Sequence, residues 1–462
     1  MNAATAPRVL IVGGGLAGLA AAEALVDSGV KVTVLEARRQ AGGRAASFED
    51  PVTGGLVDAC QHVAMGCCTN FLDLCRRTGL VDALRRDRTL WFIDPDDNRA
   101  VCTPSRVLPA PLHLAPLLLG MRHFSLREKV SLARGMHALA RARTTSSAER
   151  PTALAWLEAA GQPDRVIRLF WQPVIESALG ESIGLVDLEA ARKVCVDGFL
   201  AHREASDLFV PTEPLGVLFG QRLTAWLGAR GASVETGRGV TALERDQRGH
   251  VVAALVDGVR EPCDALILAV PWRAAAKLVP DVVPPADDRL AGSPITAVHL
   301  WFDRDCIDLP HAVLVGRVSQ WIFKPSDGPA GYCQVVISAS RGLLDGDRDR
   351  LRDTVVAEVR SAFPRAREAT LMASKIVTDP TAVLSVRPGV DAVRPAAHTA
   401  VPNFFLAGDW TATGWPSTME GAVRSGRLAA DEALASLGGS RRGLTPDLPK
   451  GMLVRMAMAG VR

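Results

Sequence analysis

Val9-Leu-Ile-Val-Gly-Gly-Gly-Leu-Ala-Gly18 decides the fold. Four apolar residues of strand character run into a glycine turn, and residues 16–26 continue with the Ala/Leu-rich pattern of a helix. Residues 30–35 then alternate as a second strand, which completes a βαβ unit. Gly13, Gly15 and Gly18 occupy the fixed positions of G-x-G-x-x-G, where a missing Cβ lets a pyrophosphate approach the backbone at the positive end of the helix. Glu36 ends the second strand, where a carboxylate accepts ribose hydroxyls and its charge disfavours a 2′-phosphate. Gly13, Gly15, Leu16, Ala17, Gly18, Glu36 and Ala37 are thus assigned to a dinucleotide that is either NAD or FAD.

Features further along the chain choose between them. Arg38 and the turn Gly42-Gly43-Arg44 offer a second close backbone approach and a guanidinium for phosphate oxygens. Near the other end, Leu406-Ala-Gly408-Asp409 places a carboxylate after a small turn. A helix beginning around Thr418, Met419 and Ala422 aims its backbone N–H groups where the anionic pyrimidine edge of a flavin would sit. Val240 and Ala269, in segments returning to the nucleotide sheet, complete the expected contacts. A cofactor touched by both ends of the chain is long, as FAD is. The C-terminal segment around Asp409 holds no cysteine, so the FAD is expected to be non-covalent.

The 462 residues exceed what one core usually supports, so two or more lobes are expected. With 48% hydrophobic residues and a net charge of +3, the chain lacks the basic field of a nucleic-acid binder. Nine scattered cysteines argue against a disulfide framework and for a reducing cytoplasm, and Cys60, Cys67, Cys68 and Cys75 lack the spacing of a metal site, so no metal is expected. The N-terminus lacks the basic region of a signal peptide, and no stretch is long and apolar enough to span a membrane.

The expected architecture is α/β: a discontinuous Rossmann-type FAD-binding domain from residues 1–79, 216–275 and 395–440. Residues 80–215 and 276–394 form an inserted substrate lobe, mixed sheet plus a helical insertion, and 441–462 are a basic and apolar tail. Ser125-Leu-Arg-Glu128 is a capping box that opens a helix towards Arg141, with a turn at 144–147. Residues 82–106 read as mixed. Residues 218–228, 347–363 and 417–436 read as helices; 263–270, 295–302, 333–340 and 403–409 read as strands; 232–243 and 250–256 are expected to pair across a polar turn.

Both terminal segments resemble the amine oxidase and phytoene desaturase superfamily of FAD enzymes, over essentially the whole chain. Within it, Val57-Asp-Ala-Cys-Gln-His-Val-Ala-Met-Gly-Cys-Cys-Thr-Asn70 resembles the D-x-x-Q-H-x-x-x-G-C stretch of the hydroxysqualene dehydroxylases. Gly408-Asp-Trp-Thr-Ala-Thr-Gly-Trp-Pro-Ser-Thr-Met-Glu-Gly-Ala-Val-Arg-Ser-Gly426 looks like the same group and is less discriminating. The chain departs from many of these relatives at Cys60, where they carry Gly, and at Cys68, where they carry an aromatic residue.

This resemblance implies reductive removal of the hydroxyl of hydroxysqualene, an apolar isoprenoid, with a reduced flavin delivering hydride to an allylic carbon in a water-poor pocket. An acid is needed near the leaving oxygen. His62 is the first candidate, Asp58 its partner or alternative, and Gln61 shares the segment. Trp410, beside Asp409, is the tryptophan best placed for a site role. Residues 107–121, with Pro109, Pro111 and Pro116, are read as an apolar gate for a lipid, and the tail as a second point of contact with the inner face of the plasma membrane. The synthase that makes the substrate is a candidate partner. The alternatives on this fold are a carotenoid-type desaturase, an amine oxidase, for which a single tyrosine, Tyr332, makes the usual aromatic cage unlike this chain, and a prenyl-binding chaperone of the GDP-dissociation-inhibitor type.

Overall fold

The computed structural model describes residues 6–142, 149–284, 289–326 and 328–458. Its centre is a five-stranded parallel sheet in the order Ser233–Thr236, Lys31–Glu36, Arg8–Val12, Ala265–Leu268, Phe404–Leu406. Arg8–Val12 is the middle strand, with Val9 facing Val32 on one side and Ala265 on the other. A central parallel strand is covered on both faces, which is why its residues are apolar without alternation. The Leu16–Leu25 helix is buried along all ten residues. It lies between this sheet and the Met419–Ser436 helix, where a Cβ on Gly426 would collide with the Ala17 carbonyl.

The second large element is a seven-stranded sheet. It orders Leu371–Leu384, Gly292–Phe302, Tyr332–Ile337, Trp321–Phe323, His311–Leu314, Leu90–Ile93 and Arg99–Cys102. Its two longest strands run antiparallel with two register shifts. The Arg348–Ala362 helix covers it, capped by the Asp347 carboxylate on the Asp349 and Arg350 N–H groups. A helical layer including Leu126–Arg141, Ala153–Ala159, Gln172–Leu179 and Leu188–Cys195 packs around its own apolar cluster. The expected capping box is present: Ser125 and Glu128 cap each other's backbone. The nine cysteines are all free.

Two expectations are corrected. Residues 232–243 are not one strand: Gly237, at φ +72°, separates Ser233–Thr236, which joins the parallel sheet, from Val240–Arg245, which pairs with Val251–Val256. Residues 82–106 contain three strands, Leu84–Asp87, Leu90–Ile93 and Arg99–Cys102, so segment 80–215 is less purely helical than its pattern suggests. The C-terminal tail is fastened to the rest of the chain. Arg442 and Gly443 donate backbone N–H groups to Asp431, Thr445 exchanges two hydrogen bonds with Asn70, and the helix Met452–Met458 packs against Leu126–Arg141. The turn expected at 144–147 lies outside the described residues. No helix among the described residues is long and apolar enough to cross a membrane.

Candidate active site

The turn after Val12 is shaped by close contacts. Gly13 has φ +109°, and a Cβ there would strike the Ala269 carbonyl. Gly18, assigned from the sequence to the cofactor, does not line the cavity described below. A Cβ on it would meet the Gly13 carbonyl, so it lets helix and strand approach. Gly15 differs: its conformation is extended (φ −73°, ψ 177°), and the nearest atom to a Cβ there would be the Gly43 Cα, 3.9 Å away. A side chain at 15 would therefore project into open space at the helix start. No side chain caps this helix, which leaves its first N–H groups free for an anion.

Glu36 stands beside that opening. One carboxylate oxygen accepts the Gly14 N–H and the other the Arg38 N–H, each at 2.7 Å. Gly42 donates its N–H to the Gly14 carbonyl at 2.8 Å, which brings the Gly42-Gly43 turn alongside the glycine loop. Arg44, read from the sequence as a phosphate ligand, is instead tied across the chain: it donates to Asp409 and, at 2.7 Å, to the Ala382 carbonyl. Burial alone would raise the Asp409 carboxyl, but the Arg44 charge and hydrogen bonds from Arg44 and Ser417 hold it below its ordinary range. Thr418 caps the Met419–Ser436 helix through the Gly421 N–H.

These groups border one cavity of about 870 Å³. At the sheet it is lined by Gly13, Gly15, Leu16, Ala17, Glu36, Ala37 and Arg38, with Gly42, Gly43, Arg44, Val240, Ala269, Gly408, Asp409, Thr418, Met419 and Ala422. The lining thus gathers every cofactor residue expected from the sequence except Gly18. The second arm is apolar and comes from the other lobe, including Phe92, Leu117, Met121, Met136, Phe170 and Trp321. The uncapped helix start, the carboxylate of Glu36 and the open space at Gly15 fit a dinucleotide, and a lining that also takes in Asp409 and the start of the Met419–Ser436 helix fits one as long as FAD.

Gln61 and His62 line the same cavity, with His62 close enough to Arg44 to feel its charge. The His62 Nδ1 lies 2.8 Å from the Cys60 carbonyl. A carbonyl can only accept, so Nδ1 carries the proton and Nε2 is the basic nitrogen. Burial, together with the Arg44 charge, lowers the His62 pKa despite that hydrogen bond. Asp58, expected to partner His62, is not in the lining. Its carboxylate accepts the Ser47 hydroxyl and the Leu215 N–H, both at 2.7 Å, and burial pushes its pKa up to about 6. Gln334, buried on the substrate sheet, holds the Asp58–His62 loop from behind, accepting the Gln61 N–H and donating to the Asp58 carbonyl at 2.9 Å.

Several lining groups carried no local signal in the sequence. Lys193 and Asp197 pair at 3.1 Å, and the Lys193 ammonium lies 4.5 Å from the centre of the Trp415 ring. Asp379, from the long substrate strand, joins them in the lining. Spacing of four along a helix could have paired Lys193 with Asp197, but nothing local placed either at a cavity. Trp410 lines the cavity, yet its indole N–H is spent on the Val270 carbonyl at 2.9 Å. Tyr332 is packed away with His299 and Trp301, outside the lining.

Comparison with known proteins agrees with this geometry. Residues 16–434 match the family described as flavin containing amine oxidoreductase. The hydroxysqualene dehydroxylase of Rhodopseudomonas palustris is 30% identical over 457 residues, covering 93% of this chain and 98% of the relative. The 15-cis-phytoene desaturase of Synechococcus elongatus is 26% identical, covering 93% and 96%. In fold, the chain superposes on an oxidoreductase from Methanosarcina mazei with a TM-score of 0.69 at 15% identity, covering 91% of this chain and 98% of that one. The chain belongs to the flavin containing amine oxidoreductase family and is an FAD-dependent oxidoreductase, an enzyme rather than a lipid-carrying chaperone.

Proposed function

We propose that this enzyme removes the hydroxyl group of hydroxysqualene reductively to give squalene, working against the inner face of the membrane that holds its apolar substrate and receiving that substrate from an upstream synthase. The observation that carries this reading is that Gln61 and His62 line the same cavity as the glycine loop with Glu36 and the apolar side chains of the other lobe. The Gln-His segment is the part of the sequence that resembles the dehydroxylases, and relatives of that name align along nearly the whole chain.

Replacing a hydroxyl by hydrogen takes one hydride and one proton and releases water. Bound and reduced, FAD supplies the hydride. The chain's own residues exclude water from the apolar arm, orient the hydroxyl and deliver the proton. His62 Nε2 is the nitrogen free to do the last. Because burial and the Arg44 charge disfavour the imidazolium, its protonated fraction already shrinks as pH rises through values below the ordinary histidine range, and turnover is expected to fall with it. His62→Gln should bind FAD normally, turn over about a hundredfold more slowly and lose this slope.

The test is anaerobic. The bound flavin is reduced, hydroxysqualene is added, and oxidised-flavin absorbance and product mass are followed together. Return of the absorbance with formation of squalene is the expected result. If the flavin stays reduced while oxidised enzyme dehydrogenates a phytoene-type polyene, the second reading stands, a desaturase, which the phytoene desaturase relatives favour.

A further inference from the structure

The structure assigns a bilayer-docking surface to three segments that are far apart in sequence: residues 106–121, the Leu126–Arg141 helix and the C-terminal Met452–Met458 helix. The assignment deepens the proposed function, resting on its apolar substrate.

The segments are fastened side by side. Lys129 donates to the Leu119 carbonyl at 2.8 Å, joining the first helix turn to the end of residues 106–121. Arg141, at the other end of that helix, donates to the Ala457 carbonyl at 2.7 Å. The Gly451 N–H bonds the Ala201 carbonyl, and a Cβ on Gly451 would lie 3.2 Å from Ala110. The tail helix thus returns to the apolar gate that the sequence showed only as a separate feature.

What these segments expose is unusual. Val107 is 86% exposed, Leu126 74% and Leu119 68%, with Leu112, Met452 and Met456 at half or more. Single exposed apolar residues are ordinary, but a concentration on adjoining segments marks a surface that is covered in use. Charge selects the cover. Residues 106–142 hold six arginines and lysines against one acidic residue, Glu128. Glu128 is already engaged by Ser125 and Arg165. Arg106, Arg122, Arg127, Arg134 and Arg455 make no ion pair among the described residues. Apolar side chains set among unpaired cations fit an anionic lipid surface, where chains enter the acyl layer and guanidiniums meet phosphates.

The same wall faces the cavity. On the Ala115–Gly120 helix, Leu117 lines the apolar arm while Leu119 points to solvent, and Met121 and Met136 also line that arm. A lipid leaving the bilayer here crosses one layer of side chains to reach the cavity.

The experiment uses the full-length FAD-bound protein and two vesicle types, phosphatidylcholine alone and phosphatidylcholine mixed with phosphatidylglycerol, in a flotation assay at low and high salt. Wild type should float with the anionic vesicles and less so at high salt. The double variants Leu119→Glu/Leu126→Glu and Met452→Glu/Met456→Glu should each bind at least about tenfold more weakly while keeping their flavin absorbance. Met372→Glu, an exposed apolar position on the substrate sheet, should float like wild type. Wild type that ignores both vesicle types, or double variants that float unchanged, would overturn the assignment. So would variants that keep bilayer binding but lose a protein partner, which would make the face a protein interface. Because flotation needs no substrate, its failure is separable from that of the proposed reaction. Turnover of detergent-dispersed hydroxysqualene without flotation sinks the surface alone, and flotation without turnover sinks the reaction alone.

Discussion

Asp58 shows how a residue can sit in the most telling stretch of a sequence and still stand outside the cavity. Its carboxylate is turned from the cavity onto Ser47 and Leu215, where it pins the loop bearing Gln61 and His62. Burial lifts its pKa to about 6 from the ordinary 3.8, so the folded protein holds this proton more tightly than the unfolded chain. The stabilisation is therefore complete below about pH 4 and is lost as pH rises through 6, a swing of about 3 kcal/mol. Asp58→Asn keeps an acceptor oxygen for both donors and removes the swing. Urea unfolding at pH 4.5 and pH 8 is expected to show a smaller loss on raising pH in the variant than in wild type, with turnover changed by no more than a few fold. Parallel losses in the two proteins would return Asp58 to the ordinary titration of a solvated carboxyl.

Among elements, the strand–turn–helix at the N-terminus was legible because each of its signals is local: an apolar run, a glycine turn, a helical pattern and an acidic strand end. The Ser125 capping box was legible for the same reason. The fate of residues 232–243 was not, because pairing partners decide it, Lys31–Glu36 for one half and Val251–Val256 for the other. The strands within 82–106 were hidden by the charges of Arg85, Arg86 and Asp87, which only their ion pairs accommodate. For the cavity, the polar lining was readable, and of the apolar lining only Leu117 and Met121, inside the segment read as a gate; Phe92, Met136 and Phe170 look like any other core residues until the lobes close around them. The glycine turn permits a test that separates fold from cofactor. Gly15→Ala is sterically free in the protein itself, so its fold should be unchanged by circular dichroism while FAD affinity falls at least about tenfold. Gly18→Ala, by contrast, should destabilise the apoprotein as well.

On the scale of the whole molecule, the tail braces the core. Thr445 satisfies both ends of the buried Asn70 side chain, Asp447 pairs with the buried Arg424, and Arg424 in turn pairs with the buried Glu420. Deleting residues 440–462 strands these groups, each costing about 1–3 kcal/mol. The melting temperature followed by flavin fluorescence is expected to drop by roughly 5 °C or more. An unchanged melting temperature would make the tail an appendage after all. Point substitutions, not truncation, are for this reason the clean probe of the lipid-facing helix.

The Leu16–Leu25 helix, buried on every side, bears on how the protein is made. Its cover is the Met419–Ser436 helix, and its sheet gains Ala265–Leu268 and Phe404–Leu406 only late. During synthesis this helix is therefore made about four hundred residues ahead of the helix that covers it. The βαβ unit therefore spends that interval as a sticky nascent segment that gains from a chaperone's shelter, and the cavity is complete only once the Met419–Ser436 helix has been made.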